Sequence, residues 1–308
     1  METMTAPSGD QVRRFLFENR PVRGQWVHLE AAWRELRAHT DYPAPVTALL
    51  GEAVAASVLL AATLKFQGTL TLQLQGNGLM NLLVAQCTDD FRLRAVARYD
   101  EAGVAALLLP EGDEGFRQLS GSEGRLTVTV ESEGQSTRYQ GVVPLSGDSL
   151  AQSLEAYFAN SEQLPTRVLL AADGRRCAGL LVQKLPGAEG TGDEPVVAWE
   201  EAQAGIERLS APQLAGRSIE AVLAEGFSGH DLRLFEGAAV RFECRCSAQR
   251  VAGVLRALGP GEIRDLLREQ GSVNVTCEFC QRPYRFDSID IEALFSDGPA
   301  PGVTPAVH

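Results

Sequence analysis

The sequence predicts an α+β protein: an N-terminal, mostly antiparallel sheet domain with packed helices, then a helical linker, then a small C-terminal module built on four cysteines. Three observations carry this. In Thr69-Leu70-Thr71-Leu72-Gln73-Leu74-Gln75 leucine alternates strictly with polar residues, the period of a half-buried strand. Val46 to Leu64 is apolar on nearly every side of a helix, which marks burial on nearly every side. Cys244-Arg245-Cys246 and Cys277-Glu278-Phe279-Cys280 stand thirty residues apart, two close cysteine pairs bracketing a helical insert.

Taken in order, Val12 to Phe17 and Val22 to His28 read as strands split by the turn Asn19-Arg20-Pro21. Leu29 to His39 reads as a short helix that Pro43 and Pro45 stop, and the apolar helix follows. After the alternating strand, Gly76-Asn77-Gly78 makes a turn, since Asn and Gly accept positive φ. Leu79 to Ala85 returns as the second arm and Phe91 to Tyr99 alternates again. Arg125 to Glu131 and Arg138 to Pro144 form a hairpin around Glu133-Gly134. Ser149 and Gln152 are spaced as a capping box for a helix with Leu150, Leu154, Tyr157 and Phe158 on its apolar stripe, stopped by Pro165. Arg167 to Ala172 and Ala178 to Leu185 make a last hairpin around Asp173-Gly174. There is no internal repeat. Residues 1–185 are therefore expected to form the first domain.

Composition changes at Pro186. Pro186 to Pro195 has no basic residue and almost nothing to bury, the mark of a flexible loop. Val196 to Glu236 returns to weak helical patterns, punctuated by Gly205, Gly216, Gly226 and Gly229. A glycine inside a helix costs about 1 kcal/mol relative to alanine, and short helices are marginal in water. Residues 186–239 are accordingly predicted to be a linker of low intrinsic stability that leans on a neighbour. In residues 240–295 Ser247 caps a helix carrying Val251, Val254, Leu255 and Leu258, stopped by Gly259. Ile263, Leu266 and Leu267 mark a second helix ending at Gly271. Val273 and Val275 lead as a strand into the second cysteine pair, Tyr284 and Phe286 continue beyond it, and Ile291 to Phe295 closes with a helical turn. Residues 296–308 are rich in Pro and Gly and are predicted to be a disordered tail.

The 308 residues carry a formal net charge of −12 and a sequence pI near 4.9. Phosphate backbones need a basic footprint, so nucleic acid is not an expected partner; nor is an anionic membrane surface. Met1 to Asp10 lacks the basic and apolar regions of a signal peptide. The Val46 to Leu64 run contains Glu52 and sits at the short limit of a membrane span, so a core helix is the expectation. A cytoplasmic location follows, and in a reducing compartment paired cysteines are metal ligands or redox devices more often than structural disulfides.

Four thiolates in two close pairs suit one zinc ion in a tetrahedron of sulfur, on Cys244, Cys246, Cys277 and Cys280. A module of about sixty residues has a small core, and a metal would supply stability it lacks. The alternative is two redox dithiols without metal. The first pair is CxC rather than CxxC, two thiolates close enough to oxidise to each other with local adjustment. Zinc-bound thiolates stay nucleophilic and oxidants attack thiolates, so oxidation and metal release are coupled. The residues alone permit a redox switch as well as a purely structural zinc.

With its CxC and CxxC thirty residues apart, the chain resembles the redox-regulated holdase chaperones of the thirty-three-kilodalton heat-shock protein family. The stretches Val22-Arg23-Gly24, Tyr42 to Val46, Leu49-Leu50-Gly51-Glu52, Ala62 to Phe66, Leu72 to Gly76, Tyr139 to Val143, Tyr157-Phe158 and Ser161 to Thr166 are similar to that family too. The resemblance implies a reduced, inactive monomer with one zinc on the four cysteines. It implies that peroxide with mild unfolding, or hypochlorous acid, bridges Cys244 to Cys246 and Cys277 to Cys280. The module and then the linker would unfold, the protein would become a homodimer, and it would hold unfolding client proteins without ATP. No phosphate-binding, GxSxG or HExxH motif is present, in keeping with a binding protein rather than an enzyme. The linker departs from the family, being richer in Ala and Gly than the charged linkers common there.

Two other readings compete. A thiol–disulfide oxidoreductase would act through Cys277 and Cys280, but no thioredoxin-like βαβ context surrounds them. A zinc-ribbon nucleic-acid-binding regulator would conflict with the acidic charge. Cys87 and Cys177 sit in strand-like stretches and read as small buried residues, although Arg175 and Arg176 could activate Cys177 as an auxiliary thiol. With four cysteines the zinc shell is full, so His28 and His39 are expected in packing or surface roles. His230 falls in a Gly-rich turn and His308 in the tail.

Overall fold

In the computed structural model the described residues are 9–107, 113–132, 138–186 and 194–296. They divide into two compact units, one running to Glu243 and one starting at Cys244. The Glu133-Gly134 turn, most of the Pro186 to Pro195 loop and the tail beyond Ser296 lie outside the described residues.

In the first unit, β1 (Gln11–Phe17) and β2 (Val22–Leu29) pair antiparallel across a turn in which Asn19 takes φ 58°, a conformation asparagine tolerates. The helix predicted from Leu29 to His39 is shorter: α1 spans Ala31–Leu36, because Leu29 stays in β2 opposite Cys177. The backbone N–H groups of Glu30, Ala31 and Ala32 donate to the carboxylate of Asp10. That cap comes from twenty residues upstream and leaves no local signature. α2 (Ala44–Thr63) begins at Pro43, and Pro45 falls in its first turn, where a missing N–H costs nothing. Fourteen of its twenty residues are buried, so its apolar circumference is explained by contact on all sides. Among the described residues it is the one helix long and apolar enough to cross a membrane, and it lies inside the core.

The remaining strands follow the predicted pattern closely: β3 (Gly68–Gln75), β4 (Met80–Thr88), β5 (Arg92–Tyr99), β6 (Arg125–Ser132), β7 (Arg138–Pro144), β8 (Thr166–Ala172) and β9 (Cys177–Lys184). Two short helices that the sequence did not suggest, α3 (Glu101–Ala105) and α4 (Asp113–Ser120), lie between β5 and β6. α5 (Leu150–Tyr157) is capped by Ser149, whose Oγ accepts from Gln152 N at 3.2 Å, while the Gln152 side chain accepts from Asp148 N rather than from Ser149. One sheet contains β1, β2, β9 and β8; the other runs β5-β4-β3-β6-β7. α2 is packed between them, against Leu70, Leu72 and Leu74 of the second sheet and Val27, Leu29 and Leu181 of the first.

The linker helices α6 (Glu194–Glu207), α7 (Ala211–Gly216) and α8 (Ile219–Gly226) cover the other face of the first sheet. Ala202, Ile206, Leu214, Val222 and Phe227 pack there against Phe15, Phe17, Trp26, Leu180 and Val182. Gly205 has a reason beyond propensity: a Cβ on it would lie 2.5 Å from the Phe227 ring and 2.6 Å from the Gly226 carbonyl. The glycine lets α6 and α8 approach closely at the cost in helix propensity noted above. The helical pattern expected to reach Glu236 stops earlier. β10 (Leu232–Leu234) and β11 (Ala238–Ala239) pair with β1, and β12 (Arg241–Phe242) pairs parallel with β5. Period-two apolar positions and open strand edges outweigh local helical preference there.

One contact ties linker to sheet through a titratable group. His28 of β2 is 2% exposed, stacks on Trp26 at 5.8 Å, and its Nε2–H donates to Ala215 O of α7 at 3.1 Å. Its Nδ1 is buried with no hydrogen-bond partner. Burial holds the imidazole pKa below its ordinary 6.5, with Arg176 acting the same way against the Ala215 bond and the carboxylates of Asp10 and Glu30. A base depressed on folding stabilises the fold above its unfolded pKa and loses that contribution as pH falls. Docking of α7 is therefore expected to weaken as pH drops below about 6.5. Hydrogen exchange of residues 211–216 between pH 7.5 and 5.5 checks this, and His28→Gln should flatten the dependence; an unchanged slope in the variant would refute it.

In the second unit, α9 (Ala248–Leu258) is capped by Ser247 and ends at Gly259, which has φ 94°. α10 (Pro260–Gln270) ends at Gly271 with φ 74°. β13 (Val273–Thr276) and β14 (Pro283–Phe286) form an antiparallel hairpin, and α11 (Ser288–Phe295) is held by an Asp287 capping box. The buried core comprises Leu255, Ile263, Val273, Tyr284, Phe286, Ile291 and Leu294. Of the α9 stripe only Leu255 is buried; Val254 and Leu258 are exposed.

Candidate metal centre

The four predicted ligands come from two local structures. Cys244 and Cys246 lie on the stretch between β12 and α9, with one residue between them. Cys277 and Cys280 occupy the β13–β14 turn. Cys277 N donates to Arg282 O at 3.0 Å and Gln281 N donates to Cys277 O at 2.9 Å, with Gln281 at φ 56°. That tight backbone turns both side chains toward the CxC pair.

The structure brings all four sulfurs together: they lie within 4.8 Å of one another. Cys244 Sγ is 3.7 Å from Cys277 Sγ, and Cys246 Sγ is 3.4 Å from Cys280 Sγ. A tetrahedron with metal–sulfur bonds of about 2.3 Å has edges of roughly 3.8 Å, so the donor set fits one ion in size and chemistry. Four soft sulfurs select zinc or iron over hard cations. Among the described residues no histidine or carboxylate joins the group.

Electrostatics in the cage are shared among the sulfurs. Hydrogen bonding, from Cys280 above all, pushes Cys244 down to about 4. The same bond from the other side, with burial, pushes Cys280 up, and burial raises Cys246. The first proton leaves easily and the last is held, as expected when thiols crowd into one site. The sequence reading missed Tyr284 as part of the site. Its hydroxyl donates to Cys246 Sγ at 3.0 Å, which orients that sulfur and offsets its charge. The only sequence clue was its place in the strand that returns from the knuckle.

The other candidates stay out of the centre. Cys87 and Cys177 are fully buried, and burial pushes both thiols up, the reverse of activation by Arg175 and Arg176. His28 is engaged with Ala215, and His230 packs on Phe17 at 5.5 Å.

The family model for Hsp33 protein matches residues 10–287. The chain is 40% identical over 299 residues to the 33 kDa chaperonin of Nitrosococcus oceani, covering 97% of this chain and 99% of that one. It is 42% identical over 291 residues to the 33 kDa chaperonin of Azotobacter vinelandii, covering 94% and 95%. The crystal structure of the 33 kDa chaperonin of Thermotoga maritima has the same fold, with a TM-score of 0.75 at 24% identity over 92% of this chain and 97% of that one. On a family match that runs from β1 to the residue capping α11, and on relatives alike over nearly their whole length, the chain belongs to the Hsp33 family.

Proposed function

We propose that the protein is a redox-gated, ATP-independent holdase of the cytoplasm, inactive while zinc sits on Cys244, Cys246, Cys277 and Cys280. The observation that carries this is a four-sulfur cage in a unit whose buried core is seven side chains. When bound, the ion supplies four cross-links that such a core cannot replace. Oxidation removes two electrons from each bridged pair: one thiolate attacks the oxidant to become a sulfenic acid, and its partner sulfur displaces hydroxide from it. We assign the bridges to Cys244–Cys246 and Cys277–Cys280, the pairing that the resemblance to the family implies. A bridged pair no longer offers two thiolates, so the chain gives up the ion and the module unfolds. The linker helices then release the apolar face carrying Phe15, Phe17 and Trp26, and the oxidised protein dimerises and holds unfolding clients.

Two features oppose the alternatives. The CxxC pair lies in a hairpin turn, not at a helix N-terminus that would stabilise a catalytic thiolate. The net charge of −12 opposes a nucleic-acid partner.

Titration with hypochlorous acid tests the proposal, following metal content, free thiols and suppression of client aggregation together. One zinc per chain is expected, lost as four thiols disappear, with suppression rising in step. Zinc retained after the thiols are gone, or equal suppression in both states, would refute the gate.

A further inference from the structure

The residues between α8 and Cys244 close an edge of each sheet in the first unit. Glu18 N donates to Asp231 O (2.9 Å), Phe235 N to Arg14 O (2.9 Å) and Val240 N to Asp10 O (3.0 Å), which covers the outer side of β1. Arg241 N donates to Phe91 O (3.1 Å) and Glu243 N to Leu93 O (3.0 Å), which covers the outer side of β5. The occupant is extended and alternates: Leu232 and Leu234 pack on the outer apolar cluster, and Ala238, Val240 and Phe242 on the inner one. An uncovered strand edge presents a row of backbone donors and acceptors that any extended chain can pair with.

The cover is weakly held by itself. Its three strands have three, two and two residues. The ion pairs that fasten its end, Arg92 to Glu243 (3.0 Å) and Arg241 to Asp90 (3.1 Å), are about half exposed and contribute little. Its C-terminal end runs directly into Cys244.

We infer that residues 231–243 are an autoinhibitory strand cover, and that their release opens the edges of β1 and β5 to extended client segments with alternating apolar side chains. This rests on the holdase reading above and gives that reading a surface. Backbone pairing accepts any sequence, and the vacated pockets of Leu232, Leu234, Val240 and Phe242 set the preference for apolar residues at every second position.

The test is a labelled peptide copying residues 231–243, offered to the full-length protein in its reduced zinc-loaded and oxidised zinc-free states. Binding to the oxidised state alone is expected, about tenfold tighter than a scrambled peptide of the same composition, together with competition against a held client. Arg241→Pro, which removes the N–H to Phe91, should let the reduced protein bind the peptide. Should that variant not fold, the wild-type comparison decides. An oxidised protein that holds client yet neither binds the peptide nor is competed by it overturns the inference and leaves the holdase standing. Peptide binding without client holding would support the opened edges and count against the holdase. Edges occupied by a second oxidised copy that the peptide cannot displace would overturn the assignment to clients.

Discussion

Replacing Cys277 with serine is expected to unfold residues 244–296 and loosen the linker at 194–243, while residues 9–186 keep their fold. The cage would lose one of four soft donors, and a serine hydroxyl at neutral pH is no substitute for a thiolate. Structural zinc contributes on the order of 10 kcal/mol to modules of this size. Opposing that loss are seven buried apolar side chains and an α9 stripe that leaves Val254 and Leu258 in water. The balance falls clearly on the unfolded side. Amide spectra should show signals from β13, β14 and α11 collapsing to the narrow range of an unfolded chain, with bound zinc falling below one per chain. A dispersed spectrum with full zinc would show that the fourth sulfur is dispensable and that the metal does not hold the module. Tyr284→Phe should act more mildly: it removes the hydroxyl donated to Cys246 and leaves the ring in the core. A loss of about 10-fold in zinc affinity, at the small end for an outer-shell partner, is expected without unfolding.

Phe227→Ala is expected to free the linker helices without touching a cysteine. Phe227 is 1% exposed and packs on Phe15 at 5.9 Å and Phe17 at 5.2 Å, and it fills the space that Gly205 leaves open. Truncating a buried phenylalanine costs about 3–5 kcal/mol. Three short helices, one holding Gly205 inside it and two ending in glycine, have little stability of their own to absorb that. Exchange of amides in residues 194–226 should quicken by about two orders of magnitude or more, and the reduced, zinc-loaded variant should bind an apolar dye. Wild-type protection in the variant would mean that the helices are held by something other than this packing.

Much of the first unit was legible because its signals are local. Leucine alternation at Leu70, Leu72 and Leu74 is a direct print of one buried face, and the apolar circumference of α2 is a direct print of two sheets around it. Both patterns depend only on which side chains leave water. Where the reading fell short, the partner was distant in sequence. Asp10 caps α1 across twenty residues, and Leu29 pairs with Cys177 far along the chain, so the helix starts later than its local pattern predicts. The segment after α8 became strands because β1 and β5 offer edges there, a partnership that the alternation of Leu232 and Leu234 does not reveal by itself.

The metal centre divides in the same way. Spacing alone picked out Cys244, Cys246, Cys277 and Cys280 as a candidate ligand set, and the fold brings their sulfurs within 4.8 Å of one another. Donation from Tyr284, the burial that silences Cys87 and Cys177, and the bond from His28 to Ala215 required the folded chain. The sequence by itself determined which residues seek apolar surroundings and which could hold a metal, because hydrophobicity and ligand chemistry belong to each side chain. Only the tertiary structure decided which backbone groups and lone pairs found one another, because those partnerships depend on positions in space that residues far apart in the chain come to share.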